Sequence, residues 1–493
     1  MKRFVGLLLL IVMLAGGASP AFADSSADMM AMLQSMKDQM TQMQRTIDTQ
    51  NARIQQLEGR PVNQVIAPSY NQTPAIGPDG AQAYLTENDW EKGIKDNIGK
   101  AIPWMKGAKY GGDFRLRYEA FNYSDNNPDE NIASDRTRNR FRIRLRWGFE
   151  KDYSDDWKVG FRLATGSTTD QASTNTTLGN PGHFTFKTIL IDRAYAVYAP
   201  NGLKDYGPLQ GVTVGAGKFD NPFLRYATTI MWDSDVTPEG IYEKANFKLF
   251  GDENNNLNLY TTFGQFIANE NSGLETDADI YGYQGALNWS TYNFGTDQPV
   301  DFTMAVSWYE FNNWIQTYVV AGSNSAATSY LRTNTAAADN FRVLDLYPEI
   351  QFGVNSVPVT LWYNYVQNLG NVGTDDIIRS GGNDIHDADT AWGLGIKLGK
   401  AKTKSQWETF YGYYEIGANA VVAAFNDSDF GGPGGTGHTN RQGHKFGVSY
   451  MLTDAVQVNW TGYVVEPLNP GTVVASSINE TVFRSQLDAV YKF

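Results

Sequence analysis

The chain contains no cysteine and only four histidines in 493 residues. It can therefore form no disulfide, offer no thiolate to a metal and supply no Cys nucleophile. His183, His386, His438 and His444 make no HExxH or other close ligand pair, so the metal and cofactor expectations are both none. No Gly-x-Ser-x-Gly elbow is present, and no catalytic residue is assigned. Gly432 to Thr439 outlines a phosphate loop but carries His438 where Lys is needed, and it precedes a strand instead of a helix. Beyond residue 23 no run of about 18 apolar residues occurs, which excludes helical membrane spans. Basic residues are also in deficit, 40 against 53 acidic for a net charge of −13, which argues against nucleic acid as a partner.

What is present begins with an export signal. Lys2 and Arg3, the apolar run Phe4 to Leu14 and the small-residue end Ala21-Phe22-Ala23 make residues 1–23 a cleaved signal peptide. Residues 24–59 then place Met29, Leu33, Met36, Met40, Met43, Ile47, Ile54 and Leu57 at 4-3 spacing, with Gln50 in the same seam. This heptad pattern predicts a periplasmic coiled-coil helix, and its wet seam calls for partner helices, most simply from a homotrimer. The alternative is a helix packed on the chain's own rim. Residues 60–108 read as a linker with Pro61, Pro68, Pro74 and Pro78, followed by a short amphipathic stretch from about Asp89 to Trp104 that is suited either to plug a barrel or to lie at its rim.

From residue 109 to 493 the period changes to two. The fold class expected is all-β: an antiparallel transmembrane β-barrel of about 16 strands. Tight connections at 151–155, 251–254, 294–296, Asn355-Ser356, 401–403 and Thr453-Asp454 alternate with long loops rich in Asn, Asp, Gly, Ser and Thr, as they do in outer-membrane barrels. Only 200–208 is longer than this rule wants. The last strand sets Phe483, Leu487, Ala489, Tyr491 and Phe493 against Arg484, Gln486, Asp488 and Lys492. The apolar sets are assigned to outer-membrane lipid, with Trp147, Trp308, Trp362, Trp407 and Trp460 as candidates for interfacial girdles. The protein is thus placed in the outer membrane of a Gram-negative bacterium with its N-terminal stalk in the periplasm.

The most specific pattern is Arg136, Arg138, Arg140, Arg142, Arg144 and Arg146, interleaved with Phe141, Ile143, Leu145 and Trp147. On a strand all six arginines share one face. Arginine facing lipid costs about 2–4 kcal/mol at mid-depth, so the ladder must face the lumen, where Arg115 and Arg117 join it. Two readings stay open: a positive track for anions, or the basic half of a transverse field. For the second, the third long loop, Asp220 to Gly240, offers Asp220, Asp233, Asp235 and Glu239 as the acidic half, though their spacing alone does not make that loop a constriction.

The signal peptide, the stalk, the arginine ladder, Gly111-Gly112-Asp113-Phe114-Arg115-Leu116-Arg117-Tyr118-Glu119, Gly217 to Phe223, Trp232 to Gly240 and the final Tyr491-Lys492-Phe493 resemble a bacterial family called putative porins. The resemblance spans essentially the whole chain. It implies a passive outer-membrane channel for small hydrophilic solutes, not an enzyme, with the solute unassigned. It also implies an inward-folding third loop, and a terminal aromatic, Tyr491 or Phe493, read by the outer-membrane barrel assembly machinery. The stalk resembles that of sugar-specific porins, which leaves a saccharide channel open. Two other classes compete: a barrel that mainly tethers the outer membrane through its stalk, and an outer-membrane hydrolase assembled from scattered Ser, His and Asp.

Overall fold

The computed structural model describes residues 106–124, 137–168, 170–252, 254–270, 277–292, 294, 298–313, 341–370, 389–431, 439–468 and 481–493. The signal peptide, the coiled-coil seam, the linker, Arg136, His386 and His438 lie outside them.

Seventeen strand segments form one closed sheet. Sixteen make the wall: β1 (Lys109–Ser124), β2 (Thr137–Asp152), β3 (Trp157–Thr165), β5 (Ile189–Tyr198), β6 (Leu209–Lys218), β7 (Glu239–Gly251), β8 (Asn255–Asn269), β9 (Ala278–Thr291), β10 (Val300–Asn312), β11 (Phe341–Val354), β12 (Val357–Asn368), β13 (Thr390–Gly399), β14 (Trp407–Ile416), β15 (Arg441–Met451), β16 (Val456–Pro467) and β17 (Thr481–Lys492). The other, β4 (Thr176–Thr177), is a two-residue segment lying on β2 beyond the end of the short β3. Each wall strand pairs antiparallel with its neighbours, and β1 pairs with β17 to close the ring. Closure leaves no edge, the condition for a sheet to stand in lipid. The long connection 200–208 contains a 3-10 turn at Asn201–Leu203.

Alternation sorts the side chains. On β1, Phe114, Leu116 and Tyr118 are exposed outward, whereas Asp113, Arg117 and Glu119 are buried inside. On β17 the same split separates Phe483, Leu487 and Tyr491 from Arg484, Gln486 and Asp488. Trp147, Trp407 and Trp460 are exposed, as girdle residues must be. Trp362 corrects the expectation: it shares a face with Thr360 and Asn364, stacks on Tyr414 at 5.5 Å and belongs to the lumen. Composition could not settle this, because an aromatic suits either face of a strand.

The interior is filled by chain. The β6–β7 loop, residues 219–238, and the first half of the β14–β15 loop, residues 417–431, are largely buried. Trp232 stacks on Phe425 at 5.1 Å and meets Tyr309 of β10 edge-on at 5.6 Å. Phe223 meets Tyr309 at 5.2 Å and lies over Gly282, where an added Cβ would approach its ring to 2.4 Å. The Gly-rich composition of 432–439 predicts a flexible external loop; 432–438 lie outside the described residues, while the segment leading into them docks inside the barrel. The apolar run Ala418 to Phe425 drives that docking, since apolar surface leaves water wherever a wall is available.

Candidate functional site: the lumenal ladder and its loops

The strand register brings the ladder together. Across β1 and β2, Asp113 lies opposite Arg146, Arg115 opposite Arg144, Arg117 opposite Arg142 and Glu119 opposite Arg140. Across β1 and β17, Arg117 lies opposite Asp488, and Phe121 opposite Arg484. Two of these rows set arginine against arginine, which is unfavourable unless anions intervene.

Anions do intervene. Asp113 accepts from Arg144 Nε at 2.9 Å and Arg146 Nε at 2.7 Å. Asp488 takes Arg117 in a bidentate grip, Nε at 2.7 Å and Nη2 at 2.8 Å. Glu119, fully buried, pairs with Arg140 and Arg484 and accepts from Gln486 at 2.8 Å. Planar, two-pronged pairing of this kind holds both partners in one orientation. Arg484, also fully buried, adds cation–π contact with Phe121, its guanidinium carbon 4.9 Å from the ring centre.

Both inward loops contribute carboxylates to the same wall. From 219–238, Asp235 stands 3.7 Å from Arg146 and 4.0 Å from Arg144, and it accepts from Thr174 N at 3.1 Å and Thr174 Oγ1 at 2.9 Å. From 417–431, Asp429 binds Arg117 Nη1 at 2.8 Å and Arg484 Nη2 at 2.5 Å. The loops also clasp each other. Asp233 N donates to Phe425 O at 2.6 Å, and Ser428 N donates to Asp233 Oδ2 at 2.9 Å. Lys445 of β15 holds Asp427 at 2.6 Å. Seven arginines (115, 117, 140, 142, 144, 146 and 484) thus meet five carboxylates (113, 119, 235, 429 and 488), an excess of two positive charges.

The loop carboxyls differ in protonation. Burial pushes Asp233 well above the usual carboxylate range, and Asp235 and Asp427 beside it add to the rise. Burial acts on Asp235 and Asp429 in the same sense, but the guanidiniums win: Arg144, Arg115 and Arg146 bring Asp235 below its ordinary value, and Arg484, Arg117 and Arg142 bring Asp429 well below it.

Of the residues singled out in the sequence, Arg115, Arg117, Arg140, Arg142, Arg144 and Arg146 stand together on this wall, and Arg138 lies beyond them at the exposed loop end of β2. Asp233 and Asp235 reach the ladder region. Asp220 instead pairs with Arg193, and Glu239 with Lys218 at 2.9 Å. Sequence reasoning missed the carboxylate half of the wall. Asp113 and Glu119 flank Arg115 and Arg117 on one face of β1, and Arg484 and Asp488 share the polar face of the last strand, so the signal was the closure of first strand on last. Asp429 left no such signal.

Below the clasped loops lies a cavity of about 410 Å³, bordered by Arg115, Arg117, Asp235 and Asp429 on the charged side and by Trp362 and Tyr414 on the other. No group of three or more His, Cys, Asp or Glu suited to a metal occurs among the described residues.

A family model described as putative porin matches residues 128–338 and 316–466. No curated protein sequence matches the chain. Among solved structures, Salmonella typhi OmpF in complex with daunomycin is 11% identical, with 78% of this chain and 98% of that chain covered at a TM-score of 0.43. The high-pH structure of Pseudomonas putida OprB is 11% identical, with 82% and 97% covered at 0.45.

Proposed function

The chain belongs to the putative porin family, and from that premise we propose that this outer-membrane barrel is a passive diffusion channel for small hydrophilic solutes with a preference for anions. The carrying observation is the arginine wall of β1, β2 and β17, where positive charge exceeds the carboxylates that face it. Arg115 Nε, Arg140 Nη2 and Arg142 Nε have no protein acceptor among the described residues, so the wall is richer in donors than in acceptors. Rings of like charge set the sign of the ion a pore passes. The inward loops bring Asp235 and Asp429 to the same wall, so the two sequence readings merge: the ladder is basic and is crossed by an acidic brace. The preference expected is therefore moderate.

The test is single-channel conductance and reversal potential of the purified protein in planar bilayers under a KCl gradient. Discrete steps with a reversal potential of anionic sign support the reading; cation preference assigns control to the acidic loop through Asp235. Absence of steps from a verified folded barrel turns the argument to the tether or the hydrolase. The homotrimer belongs to the same proposal and rests on the heptad seam. Deleting residues 28–58 weakens cross-linked oligomers while the barrel still inserts.

A further inference from the structure

The cavity beneath the clasped loops has a wall built unlike the ladder. Tyr347 of β11 stacks on Trp362 of β12 with ring centres 6.3 Å apart and planes 8° apart, and Trp362 stacks on Tyr414 of β14 at 5.5 Å and 28°. The rings lie along the wall because the strand surface beneath them is bare. A Cβ at Gly395 would meet the Trp362 ring at 2.4 Å, and one at Gly412 would meet it at 3.0 Å. The indole thus sits over two glycines, between the rings of Tyr347 and Tyr414, and borders the cavity.

Lys397 stands next to this platform, two residues beyond Gly395 on the same lumenal face of β13, opposite Thr360 on one side and Phe410 on the other. It borders the same cavity. Among the described residues no hydrogen bond or ion pair holds its ammonium. The nearby Glu349 is taken by Arg225 at 2.6 Å, and Asp427 is taken by Lys445 at 2.6 Å. A cation without a carboxylate beside a flat aromatic shelf is complementary to one kind of solute: a ring to lie on the indole and an anionic group to meet the ammonium.

We propose that the cavity is a binding site for ring-bearing carboxylates, with the ring on Trp362 and Tyr347 and the carboxylate on Lys397. The inference rests on the channel reading and deepens it: such solutes pause at this point of the lumen, whereas small open-chain anions pass. The shared chemistry is a ring plus a carboxylate, and the ring is either aromatic or a sugar.

The experiment is transient block of single-channel current in KCl by benzoate, glucuronate, acetate and glucose, alongside isothermal titration of the folded, detergent-solubilised barrel with the same four compounds. Block by benzoate or glucuronate, with acetate and glucose inert, supports the site, and whichever acid binds tighter identifies the ring. Lys397→Gln should weaken that binding about tenfold, the scale of one charge-assisted hydrogen bond, and Lys397→Arg should restore it. Trp362→Leu should abolish discrimination between benzoate and acetate. Heat-modifiability on gels confirms that each variant is folded. Acetate acting as strongly as benzoate, or Lys397→Gln leaving block and heat unchanged, overturns the site while a KCl conductance leaves the channel standing. If the barrel conducts nothing, the channel reading falls, and the titration still decides whether the cavity binds.

Discussion

The two sides of the lumen solve the same problem in opposite ways. On β1, β2 and β17 the interior is a lattice of guanidiniums and carboxylates, with Glu119 and Arg484 fully buried. On β8 to β14 it is aromatic, with Phe266, Tyr309, Phe311, Phe341 and Tyr414 buried against the inward loops. A buried ion pair is held by geometry, and removing one partner leaves a charge without its counter-ion; a ring cluster is held by area and loses stability in proportion to what is removed. The loops touch both sides, through Asp235 and Asp429 on one and Trp232 and Phe425 on the other. Their position is therefore decided jointly.

The comparison is broken most severely at Arg484→Leu. This leaves Glu119 and Asp429 without their principal partner, and unfolding in urea from lipid vesicles should lose about 3–5 kcal/mol. If Arg484→Leu is as stable as the parent, the lattice is decorative. Trp232→Ala comes next. It costs about 3–5 kcal/mol of packing between the loops and β10 but leaves the strand pairing of the wall intact, so conductance should rise while the barrel's heat resistance stays close to that of the parent.

Arg140, Arg142 and Arg144 replaced together by Gln should move the reversal potential toward cations, with the barrel still folded; an unchanged potential removes the ladder from selectivity. Protonation sharpens the comparison further. Asp235 and Asp429, held below the ordinary carboxylate range, brace the loops above that range and release them only as pH falls through their lowered values. Asp233, pushed up, favours docking in its neutral form, and that contribution is lost as pH rises through its raised value. Conductance should therefore rise as pH climbs through the raised Asp233 value and, separately, as pH falls through the lowered Asp235 and Asp429 values, and Asp233→Asn should flatten the upper limb. The smallest effect is expected at Lys218→Gln, whose partner Glu239 is exposed: no more than about 1 kcal/mol in the same urea assay.

Much of the barrel was legible because its rules are local. Alternation alone predicts strands over 109–122, 136–150 and 481–493, and β1, β2 and β17 lie at Lys109–Ser124, Thr137–Asp152 and Thr481–Lys492. Period-two alternation needs only neighbouring residues, and the cost of arginine in lipid tells which face is inward. Alternation over 186–199 predicts a strand there too, but it starts at Ile189, the partner of Thr165, because β3 ends at Thr165 and offers no earlier residue to pair with.

The sequence by itself therefore determined the strand count, the alternation and the inward sense of the arginines, since each follows from a residue, its nearest neighbours and the solvent they must face. Only the tertiary structure decided which carboxylates answer Arg117 and Arg484, which loops enter the lumen, and that Trp362 and Lys397 share a wall. Asp429 and Arg117 lie 312 positions apart. Such partners meet only after the ring closes and the loops fold in, because the pairing depends on register around the whole barrel and no local pattern records it.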